Sequence, residues 1–335
     1  MVLLIANLLL LFTASTVFSQ SPQKTAQQPQ DNARQEQLDE ATRLGQSVVS
    51  LYNAGKYDEA QPIAERVVKI REQVLDKDDD RLLTAIFNLA AIQLARGRAS
   101  DAKSLFEKVL HSYERTGGID NVKLANVLDQ LAIAWYRLGQ PVETEHAYER
   151  SLAIRQKAFG SNHAEVARSL RGLAEFYQFE GDYKKAEPLY QQLVELRKRL
   201  GNASLISDAL ERYACLLHKT NRSQEAEKLE NEALGDNSRP PSQLLSGGVV
   251  NGKALHLAQP PYPAEARNQH ASGRVTVRIL IDETGKVIRA CAVEGQRALL
   301  KVSESAAYNS KFTPTRIEDK PVKVNGTIIY NFVAQ

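Results

Sequence analysis

Apolar positions recur along most of the chain at the three- and four-residue spacing of helices that bury one face. In one stretch they fall at Ile86, Leu89, Ala90 and Leu94, and in the next at Leu128, Leu131, Ala132 and Trp135. Between such stretches lie others with the same period, at Ile63, Val67 and Ile70 or at Leu189, Leu193 and Leu196. This pattern predicts amphipathic helices. The first kind of helix ends each time on a marker. Gly55, Gly97, Gly139 and Gly181 stand 42 residues apart, and Asn221 follows 40 residues after Gly181. A helix end of this type takes a left-handed residue, for which Gly is favoured and Asn comes next. Seven residues before each marker stand Val48, Ala90, Ala132, Ala174 and Ala214, and five after it Ala60, Ala102, Thr144, Ala186 and Ala226. Small side chains at two fixed points let two antiparallel helices, A and B, approach closely. The repeat therefore predicts about five helix pairs over residues 38–235. Pro62 and Pro188 share an aligned position expected in the first turn of helix B, where a missing N–H costs little. Asp58 and Ser100 read as caps of the same helices.

Two of the units read GKYDEAQPIAERVVKIREQVL and GDYKKAEPLYQQLVELRKRLG, preceded by FNLAAIQLARG and RGLAEFYQFEG. These units resemble tetratricopeptide repeats, in the longer kinesin-light-chain variety. The resemblance implies a right-handed α-solenoid of helix pairs whose concave face is lined by helix A. It places Asn88, Gln130, Gly172 and Arg212 at one aligned position, nine residues before the marker. Asn88, Gln130 and Arg212 are then the expected groove residues, with Asn88 and Gln130 clamping an extended peptide backbone. The other reading is that they are solvated polar residues.

After residue 235 a Pro/Gly/Ser linker over 236–245 ends the helical period, and alternation replaces it. Arg274–Ile281 reads as a half-buried strand, Asp282–Gly285 as a turn and Lys286–Val293 as the return strand. Residues 297–309 have a helical period, and Pro321–Val333 reads as a long final strand. The segments PPYPAEAR (260–267), SGRVTVRILIDETGKV (272–287), KFTPT (311–315) and KPVKVNGTIIYNF (320–332) resemble the C-terminal domain of TonB-family energy transducers. The resemblance covers about residues 246–335 and implies a small α+β domain with an antiparallel sheet. It also implies capture of an extended segment of an outer-membrane transporter by strand addition, with a role in nutrient uptake. An edge strand offers unpaired N–H and C=O groups to such a chain. The final strand is the expected edge. Val322, Val324, Ile328, Tyr330 and Phe332 form its core face, and Lys323, Asn325, Thr327, Ile329 and Asn331 form the partner-binding face.

Residues 2–19 are uncharged and largely apolar. They read either as a signal peptide cleaved between Ser19 and Gln20 or as an uncleaved membrane anchor. Both readings put the rest outside the cytoplasm, in the periplasm or cell envelope. A polar tether is expected over residues 20–37, which show no apolar face.

Composition narrows the functions further. The chain has 335 residues, with 43 Lys+Arg against 40 Asp+Glu. Residues 244–335 hold 12 basic and 7 acidic side chains, so the final module is modestly basic and suits acidic partner segments or membrane surfaces. No aromatic-interleaved basic stripe accompanies it, which argues against nucleic acid. The six histidines are dispersed, and no nucleophile elbow, phosphate loop or dinucleotide fingerprint is present. Asp78-Asp79-Asp80 lacks the glycine and distal glutamate of a calcium loop. Cys215 and Cys291 each read as a small buried residue, with no sign that they pair. The expectation is a non-enzymatic envelope adaptor with no metal or cofactor, gripping polypeptides with its repeats and its sheet. A periplasmic tetratricopeptide scaffold without energy coupling is the alternative, since residues 1–20 hold none of the histidine usual in transducer anchors.

Overall fold

The computed structural model describes residues 28–117, 122–233, 235, 245–250, 254–263, 266–267 and 269–334. The N-terminal apolar segment with Ser19 and Gln20, and residues 236–244 of the linker, lie outside the described residues. The chain forms two compact units that divide between Ser161 and Asn162.

The first unit is three helix pairs. They are α1 (Gln28–Asn53) with α2 (Tyr57–Val74), α3 (Asp80–Ala95) with α4 (Ala99–Gly117), and α5 (Val122–Arg137) with α6 (Pro141–Phe159). Gly55, Gly97 and Gly139 take φ of 72°, 84° and 72°. Each turns the chain so that the next amide reaches back, as Arg98 N does to Gln93 O at 2.9 Å and Gln140 N to Trp135 O at 2.9 Å. This is the double closure of a left-handed helix end. The aligned Ala60, Ala90, Ala102, Ala132 and Thr144 are wholly buried, as the close approach of paired helices requires. Leu83, Ile86, Leu94, Phe106, Leu124 and Leu131 fill the space between pairs.

Three local expectations are corrected in this unit. Helix α1 begins at Gln28, so the last ten residues of the expected tether, 28–37, are helical. Glutamine, alanine and arginine are adequate helix formers. Arg34 Nε also donates to Val74 O at 2.9 Å and Gln35 to Asp39 at 2.9 Å, which hold the exposed turns without an apolar face. Pro62 lies inside α2 rather than in its first turn. The residue before α2, Lys56, makes no side-chain cap, and Asp58 instead pairs with Arg96 at 2.7 Å. The acidic triplet is spent on structure. Asp79 caps α3 through Arg81 N at 2.9 Å, Asp80 meets Lys123 and Tyr113, and Asp78 holds Arg115 and Ser112.

The second unit begins with two more helix pairs, α7 (Ala164–Glu180) with α8 (Tyr183–Leu200) and α9 (Ala203–Lys219) with α10 (Ser223–Ala233). Their markers keep the left-handed conformation, with Asn221 at φ 61°. Here the residue after Gly181 does cap, Asp182 accepting from Lys185 N at 3.2 Å, while Pro188 again lies inside its helix. The chain then forms β1 (Leu245–Val249), β2 (Ala254–His256), β3 (Gly273–Ile281), β4 (Val287–Glu294), α11 (Arg297–Tyr308), β5 (Lys311–Phe312), β6 (Arg316–Ile317), β7 (Lys320–Pro321) and β8 (Val324–Phe332). Four strands make one sheet in the order β1-β8-β3-β4. The β3–β4 hairpin closes on Asp282, whose carboxylate accepts from Thr284 N at 2.9 Å and Lys286 N at 3.0 Å. Gly285 is required there, because it sits at φ 86° and a Cβ would lie 1.9 Å from Phe312 O. Val275, Val277, Ile279, Ile328 and Tyr330 share one core with Leu299, Ala306 and Ala307 of α11.

Candidate protein-interaction site

The expected edge is covered over part of its length. Strand β8 lies inside the sheet, antiparallel to β3 along its full length and parallel to β1 over Val324–Thr327. Docking on a vacant margin of the final strand is therefore corrected at Asn325 and Thr327, whose outer side faces β1. Ser246 is the register neighbour of Asn325, Val249 pairs with Thr327, and Val250 N donates to Thr327 O at 3.0 Å. The sequence concealed this because the covering strand is a short Gly-containing stretch with no alternating pattern. Within β8 the alternation is as read, but the strand starts at Val324 rather than Pro321, which leaves Val322 half-buried and Lys323 ahead of it. Val324, Ile328, Tyr330 and Phe332 are buried, Lys323, Asn325, Thr327 and Ile329 are half-buried, and Asn331 is exposed.

The other face of the sheet meets α9 and α10. Antiparallel register places Arg278 opposite both Cys291 and Thr327, and Leu280 opposite both Arg289 and Asn325, so these side chains share that face. Cys291 is joined to Cys215 of α9 by a disulfide, which corrects the expectation of two separate buried thiols. The two lie 76 residues apart, a pairing that neither helical nor strand period encodes. Beside the disulfide, Arg289 reaches Glu211 of α9 at 3.3 Å and Glu230 of α10 at 3.3 Å, and His218 Nε2 lies 3.1 Å from Glu230. Burial, the largest influence on Glu230, pushes its carboxyl up. The hydrogen bond with His218 and the Arg289 charge outweigh it and hold the group below the usual carboxylate range. Burial wins at Glu211, whose carboxyl is raised. Arg297 adds an ion pair to Glu180. None of these polar links stands out in the sequence, because isolated charges on helix faces normally mean solvent.

The expected groove residues occupy helix A positions as read, Asn88 on α3, Gln130 on α5 and Arg212 on α9. Asn88 is half-buried. Gln130 is buried and its Oε1 has no hydrogen-bond partner among the described residues. Arg212 is held by Asp208 at 3.0 Å and by Glu175. Burial lowers its pKa most strongly of any single influence, yet the charges of Glu175 and Asp208 overcome it and leave the pKa raised. A guanidinium so engaged has few donors left for a ligand. Sequence reasoning missed a further buried ion pair in the first unit, where Arg155 of α6 contacts Asp129 at 2.8 Å and Asn126 at 2.8 Å.

Among the described residues, the grouping with metal-ligand spacing is Cys215, Cys291 and Glu304, and its sulfurs are already bonded to each other. No helix among the described residues is long and apolar enough to cross a membrane.

Comparison with known proteins agrees with both halves of this description. A family model described as tetratricopeptide repeat matches residues 39–115, 85–157, 123–199 and 166–235. A second, described as Gram-negative bacterial TonB protein C-terminal, matches residues 258–333. Among solved structures, BtubC (BKLC) from P. vanneervenii superposes with a TM-score of 0.52 at 19% identity, covering 67% of this chain and 97% of that one. A putative kinesin light chain from Podosopora anserina gives 0.51 at 23% identity, covering 62% and 95%. Aspartyl phosphate phosphatase F from Bacillus subtilis gives 0.52 at 11% identity, covering 63% and 55%. At such identities the likeness is one of fold alone. No curated protein matches the chain.

Proposed function

Because the chain belongs to the tetratricopeptide repeat family and carries a TonB C-terminal domain, both of them non-catalytic interaction modules, we propose that it is an adaptor of the cell envelope. In this reading the C-terminal domain binds an extended segment of an outer-membrane transporter by strand addition, in the service of nutrient uptake. The repeats hold a second polypeptide in the groove that Asn88 and Gln130 border. The observation that carries the placement is the Cys215–Cys291 disulfide between a repeat helix and the TonB-type sheet. Such bonds form and persist in oxidising compartments, of which the periplasm is one. The modestly basic final module suits acidic partner segments.

The test is a titration of the disulfide-intact chain with synthetic peptides from the N-terminal segments of outer-membrane transporters. Saturable binding, with amide shifts concentrated on β1 and β8, is the expected outcome. Shifts confined to the repeats, or no binding by any such peptide, would sink the transporter assignment. A scaffold without energy coupling is the second reading, favoured by the lack of histidine in residues 1–20. N-terminal sequencing of the mature protein separates the two, since a chain released at Gln20 has no anchor through which to receive force.

A further inference from the structure

We propose that β1 is a built-in occupant of the docking edge, a removable strand that an incoming extended segment replaces alongside Val324–Thr327. The proposal rests on the strand-capture reading above and deepens it.

The ladder between β1 and β8 is weak in ways the rest of the sheet is not. It runs parallel, the less stable pairing, while β3 pairs antiparallel with both its neighbours. It spans only Val324–Thr327 of a nine-residue strand. Its register shifts between Ser246 and Val249, so that Gly247 and Gly248 together oppose the single Gly326. An extra residue of this kind interrupts the hydrogen-bond ladder. Two of the five residues of β1 are glycine, and Gly248 takes a φ of 61° outside the extended range. Glycine in a strand loses more backbone freedom on ordering than any other residue and offers no side chain to pack.

The fit beneath β1 is also incomplete. A cavity of about 70 Å³ lies between Gly248, Arg278, Arg289, Asn325, Thr327 and Glu230. Gly248 itself is exposed, so β1 places no side chain over this cavity there. A segment in regular extended conformation would pair along Val324–Thr327 without the bulge. One contact does favour β1. Val250 is buried against Gly326, where a Cβ would stand 3.0 Å from Val250 Cγ1. The cleft over Gly326 thus accepts a branched apolar residue, and a competing segment needs one in the same place. The same glycine that admits Val250 sets the specificity of the edge.

Competition of this kind has a defined signature. A site occupied internally binds an external chain more weakly by the fraction of time it is vacant. Three forms of the full chain would be compared: wild type, Ser246→Pro to disrupt the β1 ladder, and Ser246→Cys with Asn325→Cys to lock the two register neighbours together. The first probe is a fluorescent synthetic peptide of residues 243–251, the β1 segment supplied from outside. Binding to Ser246→Pro about tenfold tighter than to wild type, with none to the oxidised double-cysteine form until reductant is added, is the expected result. Wild type under the same reductant reports any effect of opening Cys215–Cys291. Equal binding to all three forms, or none to Ser246→Pro, overturns the proposal. The second probe is a transporter peptide, added to displace the first. If the β1 peptide binds as expected and the transporter peptide fails to displace it, the removable strand stands and the transporter reading falls.

Discussion

Arg289 decides more than its share of the fold. It is nearly fully buried between Glu211 and Glu230, so truncating it leaves two carboxylates in a poorly solvated place. Removing one partner of a buried ion pair costs about 3–5 kcal/mol, more than the pair contributes relative to apolar replacements. Arg289→Ala should lower the unfolding free energy of the second unit by about that amount in chemical denaturation. Replacing Arg289 and Glu230 together by leucine should recover part of the loss. Asp78 sets an acid limit in the first unit. The Arg115 and Ser112 side chains donate to its carboxylate and pull it from 3.8 down to about 2. A depressed carboxylate contributes stability above its unfolded value and loses it as pH falls toward the folded one. The melting temperature of Asp78→Asn should therefore lie below wild type at pH 5, with the gap closing between about pH 4 and pH 2. Of these residues the sequence announces little. A marker glycine is visible because it repeats every 42 residues, whereas Arg289 and Asp78 each occur once.

At the scale of single elements, the helix pairs are the legible part. Their period, their left-handed ends and their small contact residues each recur, and repetition turns a weak local preference into a firm expectation. The limits of the elements are less visible. α1 starts ten residues early because helix formation needs no apolar face once side chains such as Arg34 find a carbonyl to hold. Pro62 and Pro188 sit one turn deeper than expected, where each deletes an i→i−4 bond. An interior proline costs up to about 3 kcal/mol against alanine. Pro188→Ala restores that donor and should raise the melting temperature, by the equivalent of about 1–3 kcal/mol. An unchanged or lower melting temperature would mean that the proline costs this helix nothing. β1 was illegible for the opposite reason, since a five-residue stretch with two glycines carries no period at all.

Across the whole molecule, the tetratricopeptide and TonB-type halves were legible separately, and their junction was not. The sequence presents a linker after residue 235 between two differently patterned halves. The structure instead groups the last two helix pairs with the C-terminal sheet in one compact unit. A disulfide closing a loop of 76 residues restricts the unfolded chain by an amount worth about 4 kcal/mol in the chain-entropy account. Cys215→Ser and Cys291→Ser should each destabilise the second unit by about 2–4 kcal/mol in denaturant titrations monitored at that unit. Both should leave the first unit's transition in place.

That covalent tie changes how a mechanical load would travel. A tug delivered to β8 passes through β3 and β4 into the sulfur bridge and arrives at α9 directly. Pulling on the sheet is then pulling on the final repeat, and in an oxidised chain the two respond as one piece.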